Sequence, residues 1–458
     1  METKMAQIAI YLGADRIISA CGLTTRENME AIGGGTPGVA TFRDPSLCEG
    51  ELTAGRVDRA RFGHADFETL LEAAIGSVAA ESGVDPKAPG TGLVIATTKG
   101  NIDCLRNAPK PDPRCFIAES AQRVADRLGF TARPVVISNA CISGVAALVV
   151  ARRMIEAGTC TEVIVAGADL LTEFVIAGFR SFKSVSETVC RPYDKARDGL
   201  SLGEGCGALL LTTDSRKAKG TPVLLAGGAM TQDANHLSAP SRTGEELAAA
   251  MREAGLTPRE IGFVNAHGTA TLYNDEMESR ALHRAGLGDK PLNSLKPYLG
   301  HTLGASGIVE TILTAEQLRR GLVFGTPGYA ECGTPLPVNV APHHREMPLT
   351  AALKSASGFG GCNAAVVLSR GPFAERPPQE PRGVRTVASY ALSDRDGEFT
   401  ACIRREYASA GRTDMRFSRM DNLSKLGYIA AEKLLATSDA VGKYGAWRVG
   451  IVMANRSA

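Results

Sequence analysis

The chain has 458 residues, of which 44% are hydrophobic and 22% charged, a composition that favours a globular protein with a large core over a disordered chain. Its 51 basic and 49 acidic side chains leave a formal net charge of +2, which argues against binding to nucleic acid or to a membrane surface by charge alone. Eleven scattered cysteines favour reduced thiols, and with neither a signal-peptide pattern nor an apolar run of about 18 residues we expect a cytoplasmic protein without a membrane span.

Short apolar runs that predict strands alternate along the chain with Ala-rich segments of helical spacing. The predicted strands are 91–100, 133–140, 162–169, 207–214, 222–230 and 261–268. The predicted helices are 67–83, 144–158, 244–255 and 307–321. This alternation favours an α/β protein whose sheets are largely buried.

A Pro-rich stretch interrupts the alternation. Residues 371–383 carry four prolines with charges between them, which is the composition of a linker. Beyond it, three segments repeat the patterns of 7–18, 62–78 and 90–100 in the same order, namely 386–397, 417–435 and 447–457. These similarities predict an internal repeat, and chance similarity within an ordinary α/β appendage is the alternative.

Cys141 lies in a turn of small residues between a predicted strand, 135–137, and a predicted helix that begins near Val145. A helix beginning beside the thiol would point free backbone N–H groups and the positive end of its dipole at the sulfur. That arrangement would lower the thiol pKa from about 8.5 and produce a nucleophile. The alternative is an inert cysteine that only fills space in the core.

Two histidines also stand among small residues close to predicted strands and helices. His267 lies in NAHGTAT and His301 in LGHTLGAS, with Lys296 before His301 and Glu310 after it. A single histidine is more often structural than catalytic, but a thiol and two imidazoles in such settings favour one common site. The Gly-rich stretch 355–370 lacks the phosphate-loop pattern and predicts a turn whose backbone N–H groups face a site.

These segments resemble the β-ketoacyl-ACP synthases, decarboxylating condensing enzymes of the thiolase-like fold. Five motifs carry the resemblance and run in the family's order: NACISG, CRPYDKARDGLSLGEGCGALLL, NAHGTATLYNDEMES, SLKPYLGHTLGASGIVE and SGFGGCNAAVVL. The resemblance implies an α/β protein with a five-layer αβαβα fold made of two similar halves, 1–215 with the nucleophilic cysteine and 216–370 with the histidines and the lysine. The linker 371–383 and a partial second synthase-like unit, 384–458, would follow.

The resemblance also implies the catalytic roles. Cys141 would take an acyl chain from a thioester, and malonyl-ACP would then lose carbon dioxide to form an enolate. His267 and His301 would donate hydrogen bonds to the enolate oxygen. Lys296 and Glu310 would form a buried ion pair that organises the histidine side of the site.

Further residues would support this chemistry. The backbone N–H groups of Cys141 and Phe359 would form an oxyanion hole, and the Phe359 ring would act as a gate. Thr269 and Thr271 would bind the phosphopantetheine arm. Ser357 stands where an aromatic residue is common, and this change would widen the acyl pocket. No metal and no cofactor of the enzyme's own are expected, because the carrier protein brings the phosphopantetheine.

The leading hypothesis is an elongating 3-oxoacyl-ACP synthase that extends an acyl chain by two carbons. Initiating synthases would carry Asn in place of His301, and thiolases would place a second cysteine before the final glycine run, whereas Cys362 follows it. The alternatives are the same chemistry in a dedicated aryl-polyene or polyketide pathway, thiolytic cleavage, and a non-catalytic partner resembling a chain-length factor.

The expected partners are an acyl carrier protein and a second subunit, in a homodimer or in a heterodimer with a ketosynthase-like protein. Because carrier proteins of this kind are acidic, a basic patch would border the entrance of the site. Arg56, Arg59 and Arg61 are candidates for that patch, but their sequence favours an ordinary solvated charged loop.

Overall fold

The structure is a computed structural model that describes residues 8–106, 110, 112–233, 235–371, 388–391, 398–409 and 416–445. The chain divides into two compact units, Met1–Arg376 and Pro377–Ala458. Within the described ranges, no helix combines the length and the apolar character that a membrane span requires.

The first unit alternates strands and helices. The strands are β1 (Tyr11–Ile18), β2 (Val39–Arg43), β3 (Glu51–Gly55), β4 (Thr91–Ala96), β5 (Val135–Ile137), β6 (Glu162–Asp169), β7 (Leu202–Gly203), β8 (Gly205–Thr212), β9 (Leu224–Gln232), β10 (Phe263–Asn265), β11 (Leu292–Asn293), β12 (Leu322–Val323), β13 (Arg345–Glu346), β14 (Ala351–Gly358) and β15 (Cys362–Ser369). The helices are α1 (Thr25–Gly33), α2 (Arg59–Phe62), α3 (Phe67–Ser82), α4 (Ile117–Leu128), α5 (Ser143–Glu156), α6 (Glu173–Ser181), α7 (Glu245–Glu253), α8 (Leu272–Arg284), α9 (Lys296–Leu299) and α10 (Ser306–Arg320).

Ten strands form one mixed sheet in the order β11-β10-β14-β15-β9-β1-β8-β6-β4-β5. The order contains two sets of five. In the first set, β1 pairs antiparallel with β8 and β8 with β6, while β6, β4 and β5 are parallel. The second set repeats this pattern with β9, β15, β14, β10 and β11. The ladder that joins the sets has one paired position, Tyr11 with Leu224.

Helices cover both faces of each set. The helices α5 and α10 pack on each other and on strands of both sets, whereas α3 lies on the outer face of the first set and α7 on that of the second. A helix enclosed between two sheets must be apolar on nearly all sides, and the Ala, Val and Gly residues of α5 meet this need. The resulting order of helix, sheet, helix, sheet and helix confirms the predicted five-layer fold of two similar halves.

The second unit contains α11 (Phe399–Ser409), α12 (Asn422–Ser438) and α13 (Ala440–Tyr444). A small core of Ile403, Phe417 and Ile429 joins α11 to α12. The repeated segment 417–435 overlaps α12, while nearly all of the predicted linker and most of the segments 386–397 and 447–457 lie outside the described residues. The assignment of 384–458 to a partial second synthase-like unit therefore stays a prediction.

Candidate active site

Cys141 lies on the tight connection between β5 and α5. Ala140 before it adopts a left-handed backbone conformation, with φ of +44°. The Ser143 hydroxyl closes the turn, because it donates to the Ala140 carbonyl at 2.6 Å and accepts from the Asn139 N–H at 2.8 Å. A non-glycine residue persists in this conformation only where its surroundings fix it. The turn therefore holds the thiol in one place, with 8% of the residue exposed.

His267 follows β10, in a loop that is tied to Glu278 of α8. The Glu278 carboxylate accepts hydrogen bonds from the backbone N–H groups of His267 and Gly268, each at 2.8 Å. It also accepts from the Tyr193 hydroxyl at 2.6 Å and from the Ser355 hydroxyl at 2.7 Å. These four bonds satisfy the buried carboxylate and fix the main chain that carries the His267 ring.

His301 lies between α9 and α10. Its Nδ1 is 3.0 Å from Ser306 Oγ, while its buried Nε2 has no hydrogen-bond partner among the described residues. The rings of His301 and His267 meet edge to face, with centroids 5.3 Å apart. One ring nitrogen of His267, one ring nitrogen of His301 and the Cys141 sulfur all lie within 4.8 Å of one another. The structure thus brings together the three residues that the sequence predicted to share a site.

Three buried charges lie behind the histidines. The Lys296 ammonium is 2.9 Å from one oxygen of Glu310, as the sequence predicted, and the Lys354 ammonium forms an ion pair with the other oxygen. Burial alone would raise the pKa of Glu310, but Lys296 and Lys354 outweigh burial and hold it below its usual value. The cluster of two lysines and one carboxylate therefore carries a net positive charge.

The environment keeps the imidazoles neutral and the thiol protonated. Burial, followed by the charges of Lys296 and Lys354, lowers the pKa of His267 and of His301 well below 6.5. Burial raises the pKa of Cys141 to about 12, although Lys296 opposes this change. The sequence predicted a lowered thiol pKa, and the structure differs because the sulfur is withdrawn from water. A nucleophilic Cys141 must therefore pass its proton to a neighbouring base.

A thiol and two imidazoles are also ligands that zinc accepts. Among the described residues, Cys141, His267 and His301 are the side chains whose ligand atoms lie close enough together to hold a metal ion. The positive charges of Lys296 and Lys354 lower the pKa of both imidazoles and would also oppose a bound cation. The surroundings of the site thus suit an anionic reaction centre better than a resident metal.

A cavity of about 480 Å³ connects the site with the surface. Of the predicted site residues, those that line it are Cys141, His267, Thr269, Thr271, His301 and Phe359, whereas Lys296 and Glu310 lie behind its wall. Three phenyl rings stand in the same wall, since Phe359 stacks on Phe179 at 5.6 Å and meets Phe182 edge to face at 5.4 Å. The cavity therefore offers an apolar surface to a chain that reaches the thiol.

Gly358 borders the backbone N–H of Cys141. A Cβ atom at this position would lie 3.0 Å from the Cys141 nitrogen and 3.1 Å from the Ala140 Cβ. Because glycine leaves this space open, a carbonyl oxygen can approach the N–H group that the sequence assigns to an oxyanion hole. The Gly-rich turn thus faces the site, as the sequence predicted.

The three arginines that the sequence offered as candidates for a basic patch each lie beside a carboxylate. Arg56 pairs with Asp44 at 2.9 Å, Arg59 with Glu204 at 2.7 Å and Arg61 with Glu27 at 3.0 Å. Each charge is compensated by a neighbouring carboxylate, so these residues offer no unpaired positive surface. Lys183 and Arg197, which the sequence analysis did not single out, line the cavity instead.

Sequence reasoning also missed Lys354, Ser306 and the ring pair of Phe179 and Phe182. Lys354 could have been identified from the sequence, because a lysine within an apolar run such as AALKSASG is rare in a buried strand unless it has a charged partner. Ser306 and the two phenylalanines gave no such signal, since small polar residues and aromatic residues occur throughout the chain.

Comparisons with known proteins agree with this fold. Residues 68–217 match the N-terminal domain of β-ketoacyl synthases, and residues 223–330 match their C-terminal domain. The 3-oxoacyl-[acyl-carrier-protein] synthase 2 of Vibrio cholerae is 35% identical over 278 residues, which are 56% of this chain and 67% of that protein. The enzyme of the same name from Staphylococcus aureus strain COL is 32% identical over 248 residues, 50% of this chain and 60% of that one.

Two solved structures are similar over most of the chain. A ketosynthase from Xenorhabdus doucetiae, in complex with its chain length factor, is 26% identical with a TM-score of 0.68, covering 81% of this chain and 100% of that one. A β-ketoacyl synthase from Burkholderia phymatum is 23% identical with a TM-score of 0.71, covering 80% of this chain and 100% of that one. The fold and these comparisons define an acyltransferase. The chain belongs to the β-ketoacyl synthase family, and it is a condensing enzyme.

Proposed function

We propose that this enzyme condenses malonyl-ACP, with loss of carbon dioxide, with an acyl chain held on Cys141, giving a 3-oxoacyl-ACP two carbons longer. The observation that carries the proposal is the convergence of a thiol and two neutral imidazoles within 4.8 Å in one cavity. The Nε2 atom of His301 is buried without a hydrogen-bond partner among the described residues, and His301 lines the same cavity as the thiol. A non-catalytic partner has no need for such a set of groups.

In the first half-reaction, Cys141 Sγ attacks the thioester carbonyl of the acyl-ACP. Because the thiol pKa is about 12, its proton passes to a neutral imidazole during the attack. The oxygen that becomes negative accepts hydrogen bonds from the backbone N–H groups of Cys141 and Phe359. The C–S bond to the phosphopantetheine then breaks, and the departing thiolate takes the proton back from the imidazole.

In the second half-reaction, malonyl-ACP occupies the cavity and its C–C bond to the carboxylate breaks. Carbon dioxide leaves, and the electron pair remains as an enolate whose oxygen is held by Nε2–H groups of His267 and His301. The enolate carbon attacks the acyl-Cys141 carbonyl and expels the cysteine thiolate, which takes up one proton from solvent. Neutral imidazoles suit this step, because a protonated ring would transfer its proton to the enolate and end the reaction.

The names of the relatives support carrier-bound substrates and a second subunit. The curated relatives are named 3-oxoacyl-[acyl-carrier-protein] synthases, and the Xenorhabdus ketosynthase is bound to a chain length factor. We infer that Thr269 and Thr271, whose hydroxyls are 2.8 Å apart at the cavity, bind the phosphopantetheine arm of the carrier. The enzyme then needs no cofactor of its own, and it acts as a homodimer or beside a ketosynthase-like partner. A cytoplasmic location stays a prediction.

The chain length factor bound to the Xenorhabdus ketosynthase is the observation behind a second candidate. That candidate is the extension of a chain in a dedicated aryl-polyene or polyketide pathway rather than in general fatty-acid synthesis. The three phenyl rings of the cavity wall suit either kind of chain. The preferred primer distinguishes these two candidates, because the condensation step is the same in both.

The proposal is tested by intact-protein mass spectrometry after incubation with acyl-ACPs of graded length and unsaturation. We expect one acyl adduct that maps to Cys141, no adduct in Cys141→Ala, and an unchanged adduct in Cys160→Ala. Cys160 is a matched control, because it is also 8% exposed but lies outside the cavity. An adduct that persists in Cys141→Ala, or no adduct from the folded protein with its partner subunit present, would overturn the assignment.

A further inference from the structure

Lys354 is a buried lysine in the middle of β14, and the active-site chemistry given above assigns it no task. Its side chain is fully enclosed within the sheet. Besides its ion pair with Glu310, its ammonium donates to the carbonyl oxygen of Ala266 at 3.2 Å. Ala266 directly precedes His267, so Lys354 contacts the peptide group that leads into this histidine as well as the carboxylate of Glu310.

The charges of this cluster do not cancel. Glu310 holds Lys296 with one oxygen and Lys354 with the other, which leaves one positive charge in excess. A buried ion pair of one lysine and one carboxylate would be neutral, and burying a further ammonium costs free energy. A packing role would be met as well by an apolar side chain, as elsewhere in the interior of β14. Because packing does not require the excess charge, its role lies in its effect on the protonation of the neighbouring imidazoles.

Several ionisable groups surround the two imidazoles. Those that face them from the packed elements are Cys141, Asp169, Glu278, Lys296, Glu310 and Lys354. Asp169 is buried against the backbone N–H of Gly304 at 2.7 Å, and Glu278 is satisfied by four donors. Asp275, one turn before Glu278, pairs with Arg197 at 3.9 Å. The ammonium groups of Lys296 and Lys354 thus provide the positive charge nearest to the rings.

We propose that Lys354 is a positioning residue for the condensation: it anchors the main chain before His267 and supplies the excess positive charge that keeps both imidazoles in the neutral, hydrogen-bond-donating form. This inference rests on the proposed function. Burial lowers the pKa of Lys354, and the ion pair with Glu310 opposes that change and favours the ammonium form. The charge of that ammonium opposes a second charge on either ring. The same charge favours the enolate, whose oxygen becomes negative in front of the rings.

The test uses three substitutions at this position in the full chain. Lys354→Met removes both the charge and the hydrogen bond to Ala266, Lys354→Gln removes the charge but keeps a donor, and Lys354→Arg keeps both. Either neutral variant leaves Glu310 paired with Lys296, so the core retains a compensated carboxylate. Lys219→Met is the matched control, because Lys219 pairs with buried Asp15 at 2.7 Å but lies outside the cavity.

The rate of carbon dioxide release from malonyl-pantetheine is measured from pH 5 to pH 9 on variants whose thermal melting shows a folded protein. Loss of the charge raises the pKa of both imidazoles, so the acid limb of the profile should move to higher pH by about one unit or more in Lys354→Met and Lys354→Gln. At pH 7 the rate should fall about tenfold or more, somewhat less than on removal of a direct oxyanion donor. Lys354→Arg and Lys219→Met should keep the wild-type acid limb.

The outcomes separate the inference from the proposed function. A wild-type enzyme that is not acylated at Cys141 contradicts the proposed function itself. A wild-type enzyme that is acylated, with either folded neutral variant keeping the wild-type acid limb, overturns the role of Lys354 alone. A lower rate with an unmoved acid limb would make Lys354 a structural residue, and a shift in Lys354→Arg as large as in Lys354→Met would exclude its charge as the cause.

Discussion

The orientation of the His301 ring depends on one serine hydroxyl. Ser306 Oγ is 3.0 Å from His301 Nδ1 and 3.0 Å from Thr302 Oγ1. When the hydroxyl donates to Nδ1, the single proton of the neutral ring resides on Nε2. Ser306 acting as a donor thus favours the tautomer that donates to an enolate oxygen in the proposed mechanism.

We expect Ser306→Ala to lower the rate of malonyl decarboxylation by about 10- to 100-fold, because the ring loses both its tautomer preference and its fixed orientation. Acylation of Cys141 should fall less, since that step uses backbone donors. Both rates are measured separately, by carbon dioxide release and by mass spectrometry. Ser82→Ala, which removes a hydroxyl bonded to the Val78 carbonyl on α3, is the control and should change neither rate. Equal losses in both rates would contradict the assigned role of Ser306.

The sequence alone identified the site residues that break an apolar pattern, but not those that act through position. Cys141, His267 and His301 stand out because each interrupts a run of small or apolar residues. Their pKa values could not be predicted in the same way, because they depend on how deeply tertiary packing buries each group. The rise in the Cys141 pKa, opposite to the direction expected from a helix N-terminus, is the clearest case.

At the scale of elements, the site depends on how closely α5 and α10 approach. Gly307 of α10 lies against Gly144 and Val145 at the start of α5, and a Cβ atom on Gly307 would overlap the Val145 backbone nitrogen. The first turn of α5 follows Cys141, and α10 carries Ser306 and Glu310. The glycine contact thus sets the distance between the thiol and the groups behind the histidines.

Gly307→Ala should therefore both destabilise the protein and slow acylation. Forcing a methyl group into this crossing costs about 1–3 kcal/mol of unfolding free energy, because backbone rather than a flexible side chain must move. Urea unfolding and the acylation rate of Cys141 measure the two effects. Gly76→Ala in α3 is the matched control, since its nearest neighbour would be Leu128 at 3.6 Å, and it should be neutral or stabilising by up to about 1 kcal/mol. A Gly307→Ala enzyme as stable and active as wild type would contradict this account of the crossing.

Periodicity predicted long elements better than short ones. The helix around residues 144–158 is found as α5, and the helix 307–321 is found as α10, since each shows several turns of apolar spacing. The predicted strand 261–268 shrinks to Phe263–Asn265, because the loop that carries His267 turns away to reach Glu278. The four-residue helix α9 was not predicted, as a single turn is too short to show a period.

At the scale of the whole molecule, the thiol and the two imidazoles come from different halves of the first unit. The thiol follows β5 of the first set, whereas both histidines belong to the second half of the first unit. The four large apolar clusters and all the cavity residues also lie within that unit, Met1–Arg376.

We therefore expect a chain that ends at Arg376 to keep the fold and the chemistry of the first unit. Its melting temperature and its rate of Cys141 acylation should match those of the full chain. A chain that ends at Thr350 is the comparison: it lacks β14 and β15, two interior strands of the sheet, and should not fold. Loss of acylation in the chain ending at Arg376, with its melting transition retained, would show that residues 377–458 take part in the reaction.

The seam between β1 and β9 also limits how such a gene can change over generations. A recombination event between Thr212 and Leu224 would join the thiol of one ancestor to the imidazoles and lysines of another. The thiol and the imidazoles must lie within a few ångströms of each other, across the contact between α5 and α10. A chimera is therefore active only if both parents have the contact between Gly144 and Gly307 and the lysine charges beside the histidines. The two halves are therefore inherited as a matched pair.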